Sequence, residues 1–362
     1  MVKVLVVDDS AFMRNALTSM LTSDREIQVI GTARNGIEAI AKVKTLRPDI
    51  VTLDIEMPRM DGIEALKHIM AENPVPVVMV SSLTEEGAKV TLEALELGAL
   101  DFIPKNLSDL SVNILKIKEM LVDKIKVLSR TSKFKLMRKS VRPTTAIKPA
   151  SQQRAEETPT LEVPRVDRAI GERRMGILAI GTSTGGPKAL QEILPSLPAK
   201  FPVPVVIAQH MPHNFTGPFA ERLDSLSEIS VKEAVEGEIL LPGYAYIAPG
   251  GHNMRIERTG GLEIRITISE NKEDYIYCPS VDALFLSVNE TFPGRTLALM
   301  LTGMGHDGID GVKALKNTGS RVFAQNEETC VVYGMPKAVV DSHLADKVLP
   351  LERIAGEVVN SV

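Results

Sequence analysis

At 362 residues, 44% hydrophobic and 24% charged with a formal net charge of −4, the chain has the make-up of a soluble globular protein with material for two cores. The acidic balance gives no electrostatic reason to expect a nucleic-acid partner, and no apolar stretch reaches the roughly 18 residues that membrane insertion requires. Cys278 and Cys330 form no metal or redox motif; with no export signal the expected compartment is the cytoplasm, and both thiols are expected reduced and buried.

The apolar start, Val2 to Val7, is short and ends in Asp8-Asp9, so it reads as a strand rather than a signal peptide. Apolar runs at 3–7, 28–32, 50–53, 75–80 and 101–103 alternate with helix-period stretches at 12–21, 36–46, 62–72 and 86–97. Five such units predict an α/β domain with a doubly wound parallel sheet, which an amphipathic stretch at 111–128 closes. From 129 to 174 periodicity stops: basic residues cluster at Lys133, Lys135, Arg138 and Lys139, and prolines recur at 143, 149, 159 and 164. That composition predicts an extended linker whose charges are solvated. A second alternation follows, with strands at 175–180, 203–208, 245–247, 296–301 and 321–324 and a hairpin of 253–257 with 262–268 across Thr259-Gly260-Gly261. Its helices are expected at 187–194, 214–226, 281–290, 308–315 and 336–340. The expected units are 1–122, a helical extension and linker over 123–172, and a second doubly wound α/β domain over 173–362.

In doubly wound sheets, ligand sites form beyond the carboxyl ends of the strands. In the first domain those ends carry Asp8-Asp9, Asp54, Ser81-Ser82 and Lys105. Three carboxylates at one rim repel one another and need a cation, and an all-oxygen set suits Mg2+. A metal there would neutralise an incoming phosphoryl group and leave one carboxylate to attack phosphorus. Lys105 supplies a point charge for phosphate oxygens and Ser81 a hydroxyl. A single aspartate before Phe12 would read better as a helix cap. The whole set resembles the response-regulator receiver family over about residues 2–122, on Val7-Asp8-Asp9, on Asp54-Ile-Glu-Met-Pro-Arg-Met-Asp-Gly62 and on Lys105. The resemblance implies a flavodoxin-like fold, Asp54 as phosphoacceptor, Mg2+ held by Asp8, Asp9 and Asp54, and a histidine kinase as phosphodonor. It also implies phosphate-sensing roles for Ser81, Phe102 and Lys105. Asn106 stands where that family usually has proline.

The run Gly181-Thr-Ser-Thr-Gly-Gly186 links an apolar run to a helical pattern starting at Pro187. A serine on such a strand-to-helix turn is exposed near the positive end of a helix, as a nucleophile needs. Taken alone, the turn fits a phosphate cradle equally well. A nucleophile also needs a base and an orienting acid. Among six histidines, His210 ends the apolar run next in order to that of Ser183, and position favours it over His252 in its glycine-rich turn. His68 and His343 read as surface and helix-end residues, His213 as a helix start, and His306 as a loop residue. Asp307 follows the strong run 296–301 in a glycine loop; position alone reads it more readily as a helix N-cap than as an acid. Asp282 and Asp310, inside helical stretches, are weaker candidates. The order Ser…His…Asp departs from the Ser…Asp…His order of α/β-hydrolases.

The motifs Gly181–Gly186, Gln209-His210-Met211-Pro212, Tyr246-Ile-Ala-Pro-Gly250, Pro279-Ser-Val-Asp282 and Leu301-Thr-Gly-Met-Gly305 with Asp307-Gly308 resemble the chemotaxis protein-glutamate methylesterase family, in order, over about residues 173–358. That resemblance implies hydrolysis of glutamate methyl esters on methyl-accepting chemotaxis receptors, with glutamine deamidation as a second activity. It implies Ser183 as nucleophile, His210 as general base and acid, Asp307 as orienting carboxylate, the Met304 backbone N–H in the oxyanion hole, and no cofactor in that domain. The fusion and its linker imply a receiver that covers the catalytic face until phosphorylated. The competing reading is a response regulator whose second domain is a non-catalytic binding module.

Overall fold

Strands buried on both faces of a parallel sheet read as continuous apolar runs, and Val4, Leu5, Val6 and Val7 are all fully buried. The computed structural model describes residues 1–105, 110–130, 175–260, 263–270 and 275–362; the expected linker from 131 on, Asn106 and the hairpin residues Gly261 and Leu262 lie outside them. The first sheet is built from β1 (Val2–Val7), β2 (Ile27–Ala33), β3 (Ile50–Asp54), β4 (Val77–Ser81) and β5 (Asp101–Pro104). Its order is β2-β1-β3-β4-β5, parallel throughout. The helices α1 (Ala11–Thr22), α2 (Gly36–Leu46), α3 (Gly62–Glu72), α4 (Glu85–Glu96) and α5 (Leu110–Leu128) connect and close it. The side-chain oxygens of Ser10, Asn35, Asp61 and Thr84 cap the first four. Ser10 takes the cap of α1, which leaves Asp8 and Asp9 free for other work. The expected boundary at 122 falls inside α5, which continues to Leu128.

The second sheet holds β6 (Ile177–Thr182), β7 (Val205–Gln209), β8 (Ser230–Glu233), β9 (Tyr244–Ile247), β12 (Thr296–Met300), β13 (Arg321–Gln325) and β14 (Lys347–Leu349). Its order is β14-β13-β12-β6-β7-β9-β8, again parallel. The expected hairpin forms as β10 (Asn253–Arg258) against β11 (Ile264–Ser269), with Asn253 facing Ser269 and Arg258 facing Ile264. The helices are α6 (Gly186–Ile193), α7 (His213–Leu226), α8 (Val281–Thr291), α9 (Ile309–Asn317), α10 (Met335–Asp341) and α11 (Leu351–Ser361). Three elements were not expected. β8 and β14 are edge strands of four and three residues, too short for a periodic signal. The third, α11, buries Ile354, Ala355 and Val358, a helical spacing that was legible. Cys330 is buried as expected, whereas Cys278 is only half-buried; both are free thiols.

The turns that carry Ser183 and His210 lie side by side because β6 and β7 are neighbours: Thr182 pairs with Gln209 and the His210 N–H donates to the Thr182 carbonyl at 3.1 Å, so the chain leaves both strands at one level. Asp307 follows β12, the neighbour of β6 on its other side. The first domain packs on this same end. Phe102 of β5 stacks on Phe215 of α7, with ring centroids 4.4 Å apart and planes at 15°. Thr184, next to Ser183, donates from Oγ1 to Asp101 Oδ2 at 2.7 Å, and Lys124 of α5 donates to the same oxygen at 2.7 Å. Outside this centre, Glu96 receives Arg222 through two bonds of 2.8 and 3.0 Å and Gln191 at 3.1 Å. Asn214 donates to the Leu83 carbonyl.

Candidate active site

Two groups of side chains converge, one at the end of each sheet. In the first domain, ligand oxygens of Asp8, Asp9 and Asp54 all lie within 4.8 Å of one another. Lys105 Nζ is 2.6 Å from Asp54 Oδ1 and 3.6 Å from Asp8 Oδ2. Asp8 Oδ2 and Asp54 Oδ2 are buried without a hydrogen-bond partner. Orphaned, buried carboxylate oxygens facing one another are what a hard divalent cation would satisfy, so the donor set fits Mg2+. Ser81 is buried; its Oγ accepts from Thr91 Oγ1 at 2.6 Å and lies 3.1 Å from the Ser82 carbonyl. Phe102 is buried at the domain contact described above.

Burial pushes the Asp54 carboxyl up to about 6, against the opposing pull of Lys105. Burial likewise raises Asp8. Native Asp54 holds its proton to higher pH than the unfolded chain does, so without metal its share of stability is present below pH 3.8 and is lost as pH rises toward about 6. We expect metal-free Asp54→Asn to gain thermal midpoint relative to metal-free wild type across that window and to hold the gain above it. Paired melts at pH 4, 5, 6 and 7.5 measure this, and a constant difference between the variants would contradict it.

In the second domain the glycine turn is held by its backbone. Ser183 N–H donates to the Thr302 carbonyl at 3.1 Å, and Gln209 Nε2 donates to the Ser183 and His210 carbonyls, each at 3.0 Å. Gly185 has φ +80°, the left-handed region that glycine adopts without strain. The Met304 loop approaches so closely that a Cβ on Gly303 would lie 2.9 Å from Ser183 Cβ. Ser183 is half-buried.

His210 Nε2–H donates to Asp307 Oδ2 at 2.7 Å. Asp307 does not cap its own helix, whose N-cap is Gly308. Instead it lies at the N-terminus of α8. Oδ2 also accepts from Val281 N–H at 2.7 Å, and Oδ1 accepts from Ser280 Oγ at 3.0 Å and Asp282 N–H at 3.2 Å. Burial works to raise the Asp307 carboxyl, but the His210 bond and charge and the α8 amides outweigh it and hold the group below the usual carboxylate range. Aspartate therefore stays ionised against the imidazole. His210 Nδ1 is buried and has no hydrogen-bond partner.

The remaining candidates separate. Asp282 lies in the first turn of α8, and its Oδ1 accepts from Gly311 N–H at 2.8 Å. Asp310 pairs with Lys313 on an exposed face. His213 and His252 stand edge to face at 5.9 Å, both against the Gly250 carbonyl, and His68 pairs with Glu72 on the surface. Ser280 and the α8 amides were missed as partners of Asp307, although Ser280 two residues before Asp282 carries an N-cap signal. Gln209 and Thr184 were also missed, and only their contacts across the fold give them a role.

Fold and site together define a two-domain response regulator: an aspartate-pocket receiver joined to an α/β domain that sets a glycine-turn serine near a histidine–aspartate pair. The receiver-domain model of response regulators matches residues 4–114, and the CheB methylesterase model matches residues 178–358. The chain is 50% identical, over the full length of both, to a protein-glutamate methylesterase/protein-glutamine glutaminase of Oleidesulfovibrio alaskensis. It is 47% identical to that of Lawsonia intracellularis, covering 100% of this chain and 99% of the relative. The CheB methylesterase catalytic domain of Thermotoga maritima, a crystal structure, aligns with TM-score 0.51 and 41% identity, covering 52% of this chain and 100% of that one. The chain belongs to the CheB methylesterase family, with an N-terminal response-regulator receiver domain. It is an enzyme of the protein-glutamate methylesterase and protein-glutamine glutaminase class, a hydrolase of chemotaxis signalling.

Proposed function

We propose that the enzyme acts on methyl-accepting chemotaxis receptors with Ser183 as nucleophile, His210 as general base and acid, and Asp307 as orienting carboxylate. The observation that carries this reading is the 2.7 Å bond from His210 Nε2 to an Asp307 fixed by the start of α8. With Nε2–H engaged there, the lone pair lies on Nδ1, which takes the Ser183 proton. Ser183 Oγ attacks the ester carbonyl, and the Met304 N–H stabilises the tetrahedral oxyanion by about 3 kcal/mol. The imidazolium gives its proton to the methoxide oxygen as the C–O bond breaks, and methanol leaves. Water, deprotonated by His210, then cleaves the acyl-enzyme to glutamate and free Ser183. A glutamine amide forms the same acyl-enzyme and releases ammonia. Methanol release from methylated receptor, wild type against Ser183→Ala, tests the assignment.

Asp307→Asn is expected to lower kcat by about 10^3- to 10^4-fold with KM little changed, because an amide does not hold the required tautomer. Stopped-flow or radiolabelled methanol release measures it.

In the receiver, Asp54 accepts a phosphoryl group from a histidine kinase, with Asp8, Asp9 and Asp54 holding Mg2+. The ion supplies charge neutralisation for the incoming phosphoryl. Lys105 and Ser81 contact the phosphoryl oxygens, and Phe102 transmits the change. Before phosphorylation the receiver covers the catalytic face, a reading supported by the Thr184–Asp101 bond beside Ser183 and by one apolar cluster that joins Leu121, Val122 and Ile125 of the receiver to Val332 of the catalytic domain, with Met304 and Val331 packed against it. Lys105 is the link: it sits on Asp54 and lies three residues beyond Phe102, so a phosphoryl group that draws Lys105 disturbs the end of β5. The units are a receiver over 1–122 with α5 extending past it, a connector to 172, and the catalytic domain over 173–362. Among the described residues no helix is long and apolar enough to cross a membrane, consistent with a cytoplasmic site of action.

A further inference from the structure

One segment holds the histidine–aspartate pair from two sides. Residues Tyr277 to Asp282 run into α8, and their C-terminal half supplies Ser280 Oγ and the Val281 and Asp282 amides to Asp307. Their first residue, Tyr277, lies flat on the His210 imidazole, with centroids 4.2 Å apart and planes at 10°. The segment is itself tied down. Asn253, buried at the start of β10, accepts Ser280 N–H at 2.9 Å and lies 3.7 Å from Cys278 Sγ, and the Cys278 carbonyl accepts from Gly251 N–H at 3.1 Å. The phenol also reaches the Met304 loop, where a Cβ on Gly305 would come 3.2 Å from its oxygen.

A single hydrogen bond through Nε2 leaves the imidazole free to swing about the Nε2–Asp307 line, and such a swing would change the direction in which Nδ1 meets the Ser183 hydroxyl on the proposed mechanism. A flat ring against one face removes that freedom. It also offers its electron-rich face to the imidazolium formed during attack and excludes water from that side. We propose that Tyr277 is a positioning residue, whose ring fixes the plane of His210 while Asp307 fixes its edge. This rests on the assignment of His210 as base, and it identifies the aromatic face, not the phenol hydroxyl, as the acting part.

The test uses full-length protein activated with a small-molecule phosphodonor, with methanol release from methylated receptor as the readout. Tyr277→Phe is expected to keep kcat within about 2-fold of wild type. Tyr277→Leu, which fills the space without a flat face, and Tyr277→Ala are expected to lose about 10- to 100-fold in kcat with KM changed less than about 3-fold, the size of effect that a misplacement of about 1 Å produces. Ring 15N shifts of His210 are expected to report one tautomer in wild type and Tyr277→Phe and mixed tautomers in Tyr277→Leu. Thermal melts identify any variant that has failed to fold, and the Leu and Phe variants then carry the comparison. Wild-type kcat in folded Tyr277→Leu, or a Phe variant as impaired as Leu, would overturn the proposal. Ser183→Ala and His210→Ala run beside them: full activity in those two would instead remove the triad reading on which it rests.

Discussion

Ser183→Ala is expected to fold normally and to lose methyl-ester hydrolysis by about 10^4- to 10^6-fold. The contacts that shape its turn come from the backbone, namely its N–H on Thr302 and its carbonyl under Gln209, and alanine keeps both. On the proposed mechanism the hydroxyl makes the attack, and alanine removes it. His210→Ala should lose a comparable factor, and the double variant should fall no further, because residues that act as one unit are strongly non-additive. Glutamine deamidation should fall in parallel, since on the proposed mechanism ester and amide pass through one acyl-enzyme. Ammonia release persisting in Ser183→Ala while methanol release disappeared would break that shared intermediate. Retention of both would favour a binding module whose glycine turn holds an anion.

Removing residues 1–145 is expected to raise the unphosphorylated rate by about tenfold or more, and Asp54→Asn in the full chain is expected to abolish the rise on adding phosphodonor. The size follows from what holds the domains together. The Phe102–Phe215 stack contributes about 0.5–1.5 kcal/mol beyond its burial. The Glu96–Arg222 fork, with side chains 30% and 45% exposed, adds at most about 1 kcal/mol. Each 1.4 kcal/mol of differential stability shifts a closed–open equilibrium tenfold. Contacts of this size suit a cover that closes and is released by one charge-changing event. The catalytic half carries its own seven-stranded sheet, and the Thermotoga maritima relative was crystallised as a catalytic domain, so the truncated chain has a core on which to fold. An unchanged rate after truncation, with Asp54→Asn also neutral, would show that the domain contact does not restrain the esterase.

Much of the molecule is written locally. Continuous apolar runs produced the strands, 3.6-residue periodicity the helices, and Ser10, Asn35, Asp61 and Thr84 the helix starts. Because parallel strands end at one rim, the chain order placed Asp8, Asp9, Asp54 and Lys105 in one pocket, and the oxygens duly meet. Ser183 and His210 were legible for the same reason, each following a strong strand. Edge strands β8 and β14 were not, since three or four residues carry no period.

What the sequence determined by itself is the inventory: two α/β units, the acidic pocket, and a serine, a histidine and an aspartate at strand ends. Only the tertiary structure decided what those groups do to one another. Asp307 reads locally as a helix cap, and it became the partner of His210 because a different helix, α8, turns its first amides toward it from some 25 residues away. Tyr277 carries no motif, and the role proposed for it lies in a face-to-face contact with a residue 67 positions earlier in the chain. The Thr184–Asp101 bond joins residues 83 apart, one in the turn after β6 and the other in β5 of the first sheet. Helix and strand signals arise from neighbours within a turn or a pleat, whereas these contacts depend on how separate elements pack, and no local pattern encodes that.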